Sequence, residues 1–172
     1  NKIFPMAAVH EFLCGSNETL GATTGFVTSL LAQIIKTGGL ALWISRHRNI
    51  FPPALKAMGV DPGNIFFIEL NKEKDIAWVI EEGLKCVGVT AVVGELSEFD
   101  FTLSRRFQLA VEQSNVPAFI IRNSFRKPKT TASTTRWLIQ PVPTSMNDLP
   151  GVGFPKWEVE LLKARNGKPG KW

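Results

Sequence analysis

The chain has 172 residues, of which 44% are hydrophobic and 20% are charged, and its formal net charge is +5. This composition is that of an ordinary globular protein, and the length is that of one domain able to bury a core. The basic excess favours an anionic partner such as nucleic acid, although many soluble proteins without such a partner carry a similar charge.

The cysteines, the apolar runs and the first residue bear on where the protein is located and on whether the sequence is a whole protein. Cys14 and Cys86 lie in separate apolar runs without metal-binding spacing, so we expect two buried free thiols, no metal site and a reducing cytoplasm. No apolar run approaches the roughly 20 residues of a membrane span, and we expect no membrane partner and no secretory leader. Because the chain opens at Asn1 without methionine, we expect residues 1–172 to be a single domain cut from a longer protein.

Strand and helix patterns alternate along the first 121 residues. Because parallel neighbours need a crossover connection, and each connection here has helical length, the alternation predicts an α/β fold with a mostly parallel sheet covered on both faces. Ligands of such sheets bind at the carboxyl ends of the strands. The predicted strands are 8–14, 40–44, 64–69, 89–94 and 117–121, and the predicted helices are 23–37, 52–59, 75–83 and 100–114, the last with Asp100 as its N-cap.

The pattern changes after Ile121. Residues 122–133 are polar and basic without core periodicity, which predicts an exposed loop. Residues 135–140 and 156–163 alternate as strands, and a connection rich in proline and glycine joins them. We expect both strands to be antiparallel additions to the sheet edge.

The first strand, a glycine-bounded stretch and the first helix have the outline of a phosphate-binding loop. Gly15 and Gly21 bracket a loop one residue longer than the usual pattern, and Ala22 stands where that pattern has lysine. With Gly15 and Gly21, Thr23 and Thr24 would be the residual phosphate contacts. We therefore predict a nucleotide-binding architecture without its catalytic equipment. No cofactor is expected, although ATP binding remains open.

Two further requirements of a nucleoside triphosphatase are unmet. A buried strand should end in an acidic residue that holds Mg²⁺, but strand 89–94 ends in Gly94, and only Glu95 follows to act as a substitute or a local cap. The segment after strand 40–44 offers no carboxylate, and His47 is expected to be solvated or to face an anion. We expect no catalytic residue and no ATP hydrolysis.

Cations and aromatic rings interleave in and after the basic loop. Single-stranded nucleic acid is bound by this combination, with cations on the backbone and rings stacked on bases. The alternative is a solvated loop whose charges only keep the protein soluble. The candidate DNA-binding residues are Phe125, Arg126, Lys127, Lys129, Arg136 and Trp137.

Two cations near the C-terminus form a second candidate contact. Lys163 and Arg165 occupy alternate positions as the chain leaves a strand, so their side chains share one side. They would meet a phosphate or a neighbouring subunit, or they would serve as edge-strand charges that block aggregation.

Several stretches resemble the ImuA family, the RecA-like proteins of bacterial mutagenesis cassettes, along almost the whole chain. The most specific are Leu103-Ser-Arg-Arg-Phe-Gln-Leu-Ala110, Thr135-Arg-Trp137 and Trp157-Glu-Val-Glu-Leu-Leu-Lys-Ala-Arg-Asn-Gly167. The resemblance implies a RecA-like P-loop-type three-layer sandwich that acts in damage-induced translesion synthesis within the SOS response. It also implies an ImuB-like relative of Y-family polymerases and an error-prone replicative-type polymerase as partners.

The chain is similar to RecA itself at the equivalent places, but with departures. By this resemblance Lys163 and Arg165 fall where RecA cations reach a neighbouring subunit's ATP, and residues 122–134 fall near its DNA-binding loops. Ala22, Gly94 and His47 replace the lysine, the metal-holding aspartate and the catalytic glutamate of RecA. We therefore expect a non-catalytic adaptor that brings polymerase components to single-stranded or damaged DNA, with RecA and a second copy of the chain as further candidate partners.

Two alternatives belong to other classes. One is a weak ATPase of the RecA type in which Glu95, Thr23 and a neighbour's Lys163 rebuild the site. The other is a protein-interaction module without direct DNA contact, resembling the RecA-like inhibitors of cell division.

Overall fold

The computed structural model describes residues 5–36, 38–123, 129–144 and 153–172. These residues form eight strands, four α-helices and a short 3₁₀ helix at Pro62–Asn64. The strands are β1 (Val9–Cys14), β2 (Leu40–Ser45), β3 (Ile65–Glu69), β4 (Val89–Leu96), β5 (Ala118–Asn123), β6 (Thr135–Val142), β7 (Lys156–Ala164) and β8 (Gly170–Lys171). The helices are α1 (Asn17–Ile35), α2 (Pro52–Ala57), α3 (Glu73–Lys85) and α4 (Phe101–Ser114).

All eight strands belong to one sheet, in the order β3-β2-β4-β5-β1-β6-β7-β8. The first six in that order pair in parallel, and β7 and β8 are antiparallel to their neighbours. The predicted α/β class with a mostly parallel sheet and antiparallel C-terminal strands is confirmed. The prediction was wrong for β6, which runs parallel to β1 with His10 opposite Thr135.

The direction of β6 follows from the connection that precedes it, residues 124–134, which we name the crossover. A parallel neighbour must start at the amino end of the sheet, so the chain has to cross the sheet from the carboxyl end of β5. Of the crossover, residues 129–134 are described. Thr131 and Ser133 are buried, and Thr134 N donates to Val9 O over 2.9 Å. Residues 131–134 are therefore packed on the sheet, and the predicted exposed loop was wrong there, whereas Lys129 and Thr130 are exposed as predicted.

Each face of the sheet carries its own apolar core. Phe12, Trp43 and Trp137 are buried on the face covered by α1 and α2. Ile44, on the same strand as Trp43, points instead to the face covered by α3 and α4. Successive side chains of a strand alternate between faces, so strands buried on both sides produce three layers.

Several element boundaries bear on function. Asp100 is the N-cap of α4, as predicted, because its Oδ1 accepts a hydrogen bond from Leu103 N over 2.8 Å. Cys14 is buried as expected, whereas Cys86 is exposed because it follows the last turn of α3 at the surface. Among the helices of the described residues, none has the length and apolarity to cross a bilayer.

Candidate functional site

The junction of β1 and α1 leaves no room for the predicted phosphate loop. Two residues, Gly15 and Ser16, separate the end of β1 at Cys14 from the start of α1 at Asn17. Ser16 is the N-cap, and it forms a capping box with Thr19. The prediction that Gly15 and Gly21 bracket a loop was therefore wrong, because Gly21 lies within α1.

The amide groups at this junction already have partners. Gly15 N and Ser16 N donate to Thr19 Oγ1 over 3.1 and 2.9 Å, and Thr19 N donates to Ser16 Oγ over 3.2 Å. The pKa of the exposed Glu18 carboxyl is lowered by its hydrogen bond with Ser16. A carboxylate thus lies in the first turn of α1, near the positive end of the helix dipole.

The other predicted phosphate-loop residues lie inside α1. Ala22 and Thr23 are buried, and Thr23 Oγ1 accepts a hydrogen bond from Cys14 Sγ over 3.3 Å. The carbonyl of Thr24 accepts a hydrogen bond from Thr28 Oγ1 over 2.8 Å. Position 22 faces the core between α1 and the sheet, so a lysine there would not meet a phosphate at the surface.

A small polar group lies on the α1 face at the carboxyl ends of β2 and β4. Glu95 Oε1 accepts a hydrogen bond from Trp43 Nε1 over 2.9 Å, and burial raises the pKa of the Glu95 carboxyl. His47 is exposed nearby and favours the carboxylate. Of the two predictions for Glu95, a substitute for the metal-holding residue and a local partner, the structure agrees with the local partner.

The chemistry available at this group is limited. Burial raises the pKa of the Cys14 thiol to about 11, so it stays protonated at neutral pH and is a poor nucleophile. Within the described ranges, no group of three or more histidine, cysteine, aspartate or glutamate side chains could hold a metal ion.

Gly94 does not occupy a vacant metal position. A Cβ built on Gly94 would lie 2.2 Å from Cδ1 of Ile80, a residue of α3, so an aspartate cannot be accommodated without displacing the core. The residue faces α3, while its neighbour Glu95 faces α1, because strand side chains alternate. The assignment of Gly94 as the place of a metal-holding aspartate is therefore corrected.

A buried carboxylate organises the opposite face of the sheet. Glu11, fully buried in β1, accepts hydrogen bonds from Arg122 Nη1 over 3.1 Å, Thr131 Oγ1 over 2.8 Å and Arg136 Nε over 2.9 Å. We name these four residues the Glu11 cluster. It ties β1, β5 and β6 to the crossover, so two of the chain's basic side chains serve an internal ion-pair network.

The structure separates the candidate DNA-binding residues. Arg136 points inward to Glu11 and also donates to Lys129 O over 2.7 Å, so its guanidinium holds the crossover in place. Trp137 is 1% exposed, and its Nε1 donates to Thr135 Oγ1 over 2.7 Å, so its ring cannot stack on a base in this structure. These two assignments are corrected: both side chains belong to strand β6 and face its two covered sides.

The remaining candidates lie in the crossover. The Lys129 side chain is 64% exposed, and its Nζ is 3.4 Å from Glu98 Oε2. Phe125, Arg126 and Lys127 lie outside the described residues.

Lys163 and Arg165 both reach the crossover. Lys163 Nζ donates to Thr131 O over 2.7 Å, and Arg165 Nη2 donates to Ala132 O over 2.9 Å. Burial lowers the pKa of Lys163, and the nearby Arg136 lowers it further. The two cations therefore share one side, as predicted, and their role toward a neighbouring subunit stays a prediction.

Similarity to known proteins identifies the family. Protein ImuA of Caulobacter vibrioides strain NA1000 / CB15N is 31% identical over 182 aligned residues, which cover 98% of this chain and 74% of that protein. The chain belongs to the ImuA family. ImuA of the Caulobacter vibrioides strain ATCC 19089 / CIP 103742 / CB 15 matches to the same extent.

Comparison with family models and with solved structures says less about function. No model of a known protein family matches this ImuA-family sequence. SulA from Pseudomonas aeruginosa has a similar solved structure, with a TM-score of 0.57 and 14% identity over 67% of this chain and 98% of that one. At this identity the likeness shows a shared fold alone.

Two features of the ImuA-family chain escaped the sequence analysis. The first is Ser16 with Thr19, a spacing that signals a helix N-terminus and places the start of α1 at Asn17. The second is Glu11, a carboxylate in a strand whose other residues, apart from His10, are apolar; once buried, it required a cationic partner.

Proposed function

We propose that this ImuA-family chain is a non-catalytic accessory protein of damage-induced mutagenesis, and that it brings polymerase components to single-stranded or damaged DNA. Family membership supports the mutagenesis context. A mostly parallel sheet with antiparallel C-terminal strands, covered on both faces, is compatible with a RecA-like three-layer core. The cytoplasm is the expected location of such a protein.

The geometry of the β1–α1 junction carries the non-catalytic part of the proposal. A phosphate cradle needs several amide groups that face outward from a loop, but here the helix begins two residues after the strand and Thr19 accepts hydrogen bonds from Gly15 N and Ser16 N. Neither ATP binding nor ATP hydrolysis is therefore expected, and no cofactor is proposed.

The DNA-contacting part rests on charge and on the crossover. The net charge of +5 favours a polyanion, and the exposed Lys129 lies next to Arg126 and Lys127 in sequence. The Glu11 cluster fixes the end of the crossover, which reduces the conformational entropy lost when the segment binds a strand. After correction, the proposed DNA-facing set of the crossover is Phe125, Arg126, Lys127 and Lys129.

Charge reversal in the crossover tests this part. The double variant Arg126→Glu with Lys129→Glu should weaken binding to a fluorescein-labelled oligo-dT in a fluorescence-polarisation titration across a salt series. The slope of log K against log salt should also fall by roughly 1.4, since each phosphate contact on a single strand contributes about 0.7. The matched control is Lys36→Glu with Lys56→Glu, two exposed lysines on the α1 face.

Unchanged affinity of the crossover variant, relative to the control, would contradict the DNA-facing set. That outcome favours a second candidate function, a protein-interaction module without DNA contact. The observation behind this alternative is that Arg136 and Trp137, two of the six candidate DNA contacts, point into the protein.

The proposed partners are an ImuB-like relative of Y-family polymerases and an error-prone replicative-type polymerase. If the chain is an adaptor, immobilised single-stranded DNA should retain the ImuB-like protein only when this chain is present. Retention that does not depend on the chain would contradict the linking role. RecA and a second copy of the chain are tested in the same format.

A further inference from the structure

The cations near the crossover differ in how many hydrogen bonds and ion pairs their nitrogens already make within the protein. Arg136 and Lys163 donate to buried or part-buried acceptors, so their charge faces the protein. Lys168 is exposed in the turn between β7 and β8, and in the described part of the chain no ion pair involves it. The nearby Arg165 donates from Nη2 to Ala132 O over 2.9 Å, and its Nη1 lies 3.9 Å from Glu112 Oε1, but its side chain is still 43% exposed. A strand of DNA would meet these two cations without breaking the Glu11 cluster.

A cleft of about 650 Å³ brings these cations together with an aromatic ring. It lies where the end of α4, the start of β6 and the β7–β8 turn meet, and we name it the C-terminal cleft. Its volume is within the range of roughly 300–1,000 Å³ that is typical of small-ligand sites. The lining includes Ala8, Gln108, Leu161, Arg165, Lys168 and Trp172.

The ring of Trp172 is exposed but held in position. Its backbone exchanges hydrogen bonds with Val159 in both directions, over 2.8 and 2.9 Å. A Cβ placed on Gly170 would lie 2.7 Å from the ring, so the absence of a side chain at Gly170 lets the indole lie close against the backbone. The residue nevertheless remains 63% exposed, whereas Trp43 and Trp137 are each 1% exposed. Little conformational entropy would be lost when a flat ligand stacks on a ring held in this way.

The combination identifies the chemistry of a ligand. An exposed indole stacks on a planar ring, and cations that line the same cleft bind an anion, which together match a nucleobase and its phosphate. We propose that the C-terminal cleft binds one nucleotide unit of single-stranded DNA, with the base on Trp172 and the phosphate between Arg165 and Lys168. This inference rests on the proposed DNA contact and adds a second point of attachment, distinct from Lys129.

The Glu112 carboxylate would repel the phosphate of this ligand, so its removal should strengthen binding rather than weaken it. Glu112 lines the same cleft, and its Oε1 is 3.9 Å from Arg165 Nη1 and accepts a hydrogen bond from Gln108 Nε2 over 3.1 Å. A carboxylate close to the proposed phosphate disfavours anion binding. Glu112→Gln should therefore tighten DNA binding, a change that damage to the fold would not produce.

The test uses the whole chain and fluorescein-labelled oligo-dT in a polarisation titration. Trp172→Ala should weaken binding by roughly 5- to 150-fold, which corresponds to the loss of one base stack. Lys168→Glu should weaken binding and lower the salt slope by about 0.7. Phe66→Ala and Lys56→Glu are matched controls, because Phe66 is 58% exposed on β3 and Lys56 is exposed on α2.

The outcomes separate this inference from the proposed function. Suppose that the wild-type chain binds the oligonucleotide, but the cleft variants behave like their controls and Glu112→Gln has no effect. The proposal that the C-terminal cleft binds a nucleotide is then wrong, while the proposed DNA contact of the crossover stands. If the wild-type chain does not bind single-stranded DNA at low salt, the proposed function fails, and the cleft fails with it.

Discussion

At the residue scale, the Glu11 carboxylate holds Arg122, Arg136 and the crossover residue Thr131 by hydrogen bonds. Its removal would leave Arg122, which is 4% exposed, without its carboxylate partner. We expect Glu11→Ala to lower the free energy of unfolding by roughly 3–5 kcal/mol, the usual cost of breaking a buried ion pair on one side. Urea unfolding followed by circular dichroism measures this change.

The matched control for this prediction is Glu69→Ala. Glu69 pairs with Arg48 over 3.8 Å, and both side chains are about half exposed. Exposed pairs of this kind contribute roughly 0–1 kcal/mol. Equal effects of the two substitutions would show that the Glu11 cluster does not stabilise the crossover.

His10 is a second buried polar residue of β1, and it makes stability depend on pH. Burial lowers the pKa of His10 from 6.5 to about 4. The unfolded chain therefore takes up a proton at a pH where the folded chain does not. The stability that neutral His10 contributes is complete above pH 6.5 and is lost as the pH falls toward 4, by about 3 kcal/mol in total.

His10→Gln removes this titration and isolates its effect. We expect the advantage of the wild-type chain over the variant in urea unfolding to shrink steadily between pH 7 and pH 4. The raised pKa of Glu95 acts in the opposite direction, because the stability it contributes is lost as the pH rises, but both proteins retain it. Parallel pH curves for the two proteins would contradict the prediction.

At the scale of elements, α1 decides whether a phosphate loop exists. Gly21 is exposed inside this helix, and a Cβ built on it meets no atom within 4 Å. Gly21→Ala should therefore stabilise the chain by roughly 0.5–1 kcal/mol, because glycine is a poor residue for a helix interior. Thermal unfolding measures the change.

Gly15→Ala supplies the comparison for this helix test. Gly15 also has open space around a built Cβ, but it lies before the N-cap rather than in the helix. We expect a change of at most about 0.5 kcal/mol. If Gly21→Ala instead destabilised the chain and abolished an ATP affinity present in the wild type, α1 would not begin at Asn17.

Most elements could be predicted because their patterns are local. Helix α4 shows apolar residues at helical spacing after the N-cap Asp100, and the strands read as short apolar runs. The prediction for the β1–α1 junction was wrong. It relied on the spacing of Gly15 and Gly21, which fits a phosphate loop, and overlooked the spacing of Ser16 and Thr19, which fits a helix N-cap. Both signals are present in the same short stretch, and the tertiary packing of Ala22 and Thr23 decides between them.

The crossover could not be predicted because its contacts are distant in sequence. Arg136 meets Glu11 across 125 positions, and Arg122 meets it across 111. Without that partner, a basic stretch with no periodicity has the pattern of a solvated loop. The same contacts explain why sequence reasoning assigned Arg136 to DNA rather than to the interior.

At the scale of the whole molecule, one sheet separates the β1–α1 junction from the crossover. Helix α1 covers one face, while the described end of the crossover, residues 129–134, lies on the other with Glu11, Lys163 and Arg165. If the β1–α1 junction binds no nucleotide, as proposed, it has no nucleotide state to transmit through the sheet. DNA binding by this chain should therefore be independent of ATP.

The measurement that tests this account most directly is polarisation binding of the wild-type chain to single-stranded DNA across a salt series, with and without ATP and Mg²⁺. We predict a steep loss of affinity with salt, because phosphate contacts release counterions, and identical curves in both nucleotide conditions. Affinity that rises with ATP and Mg²⁺ would contradict the non-catalytic reading of the β1–α1 junction. Absence of binding at low salt would contradict the DNA contact.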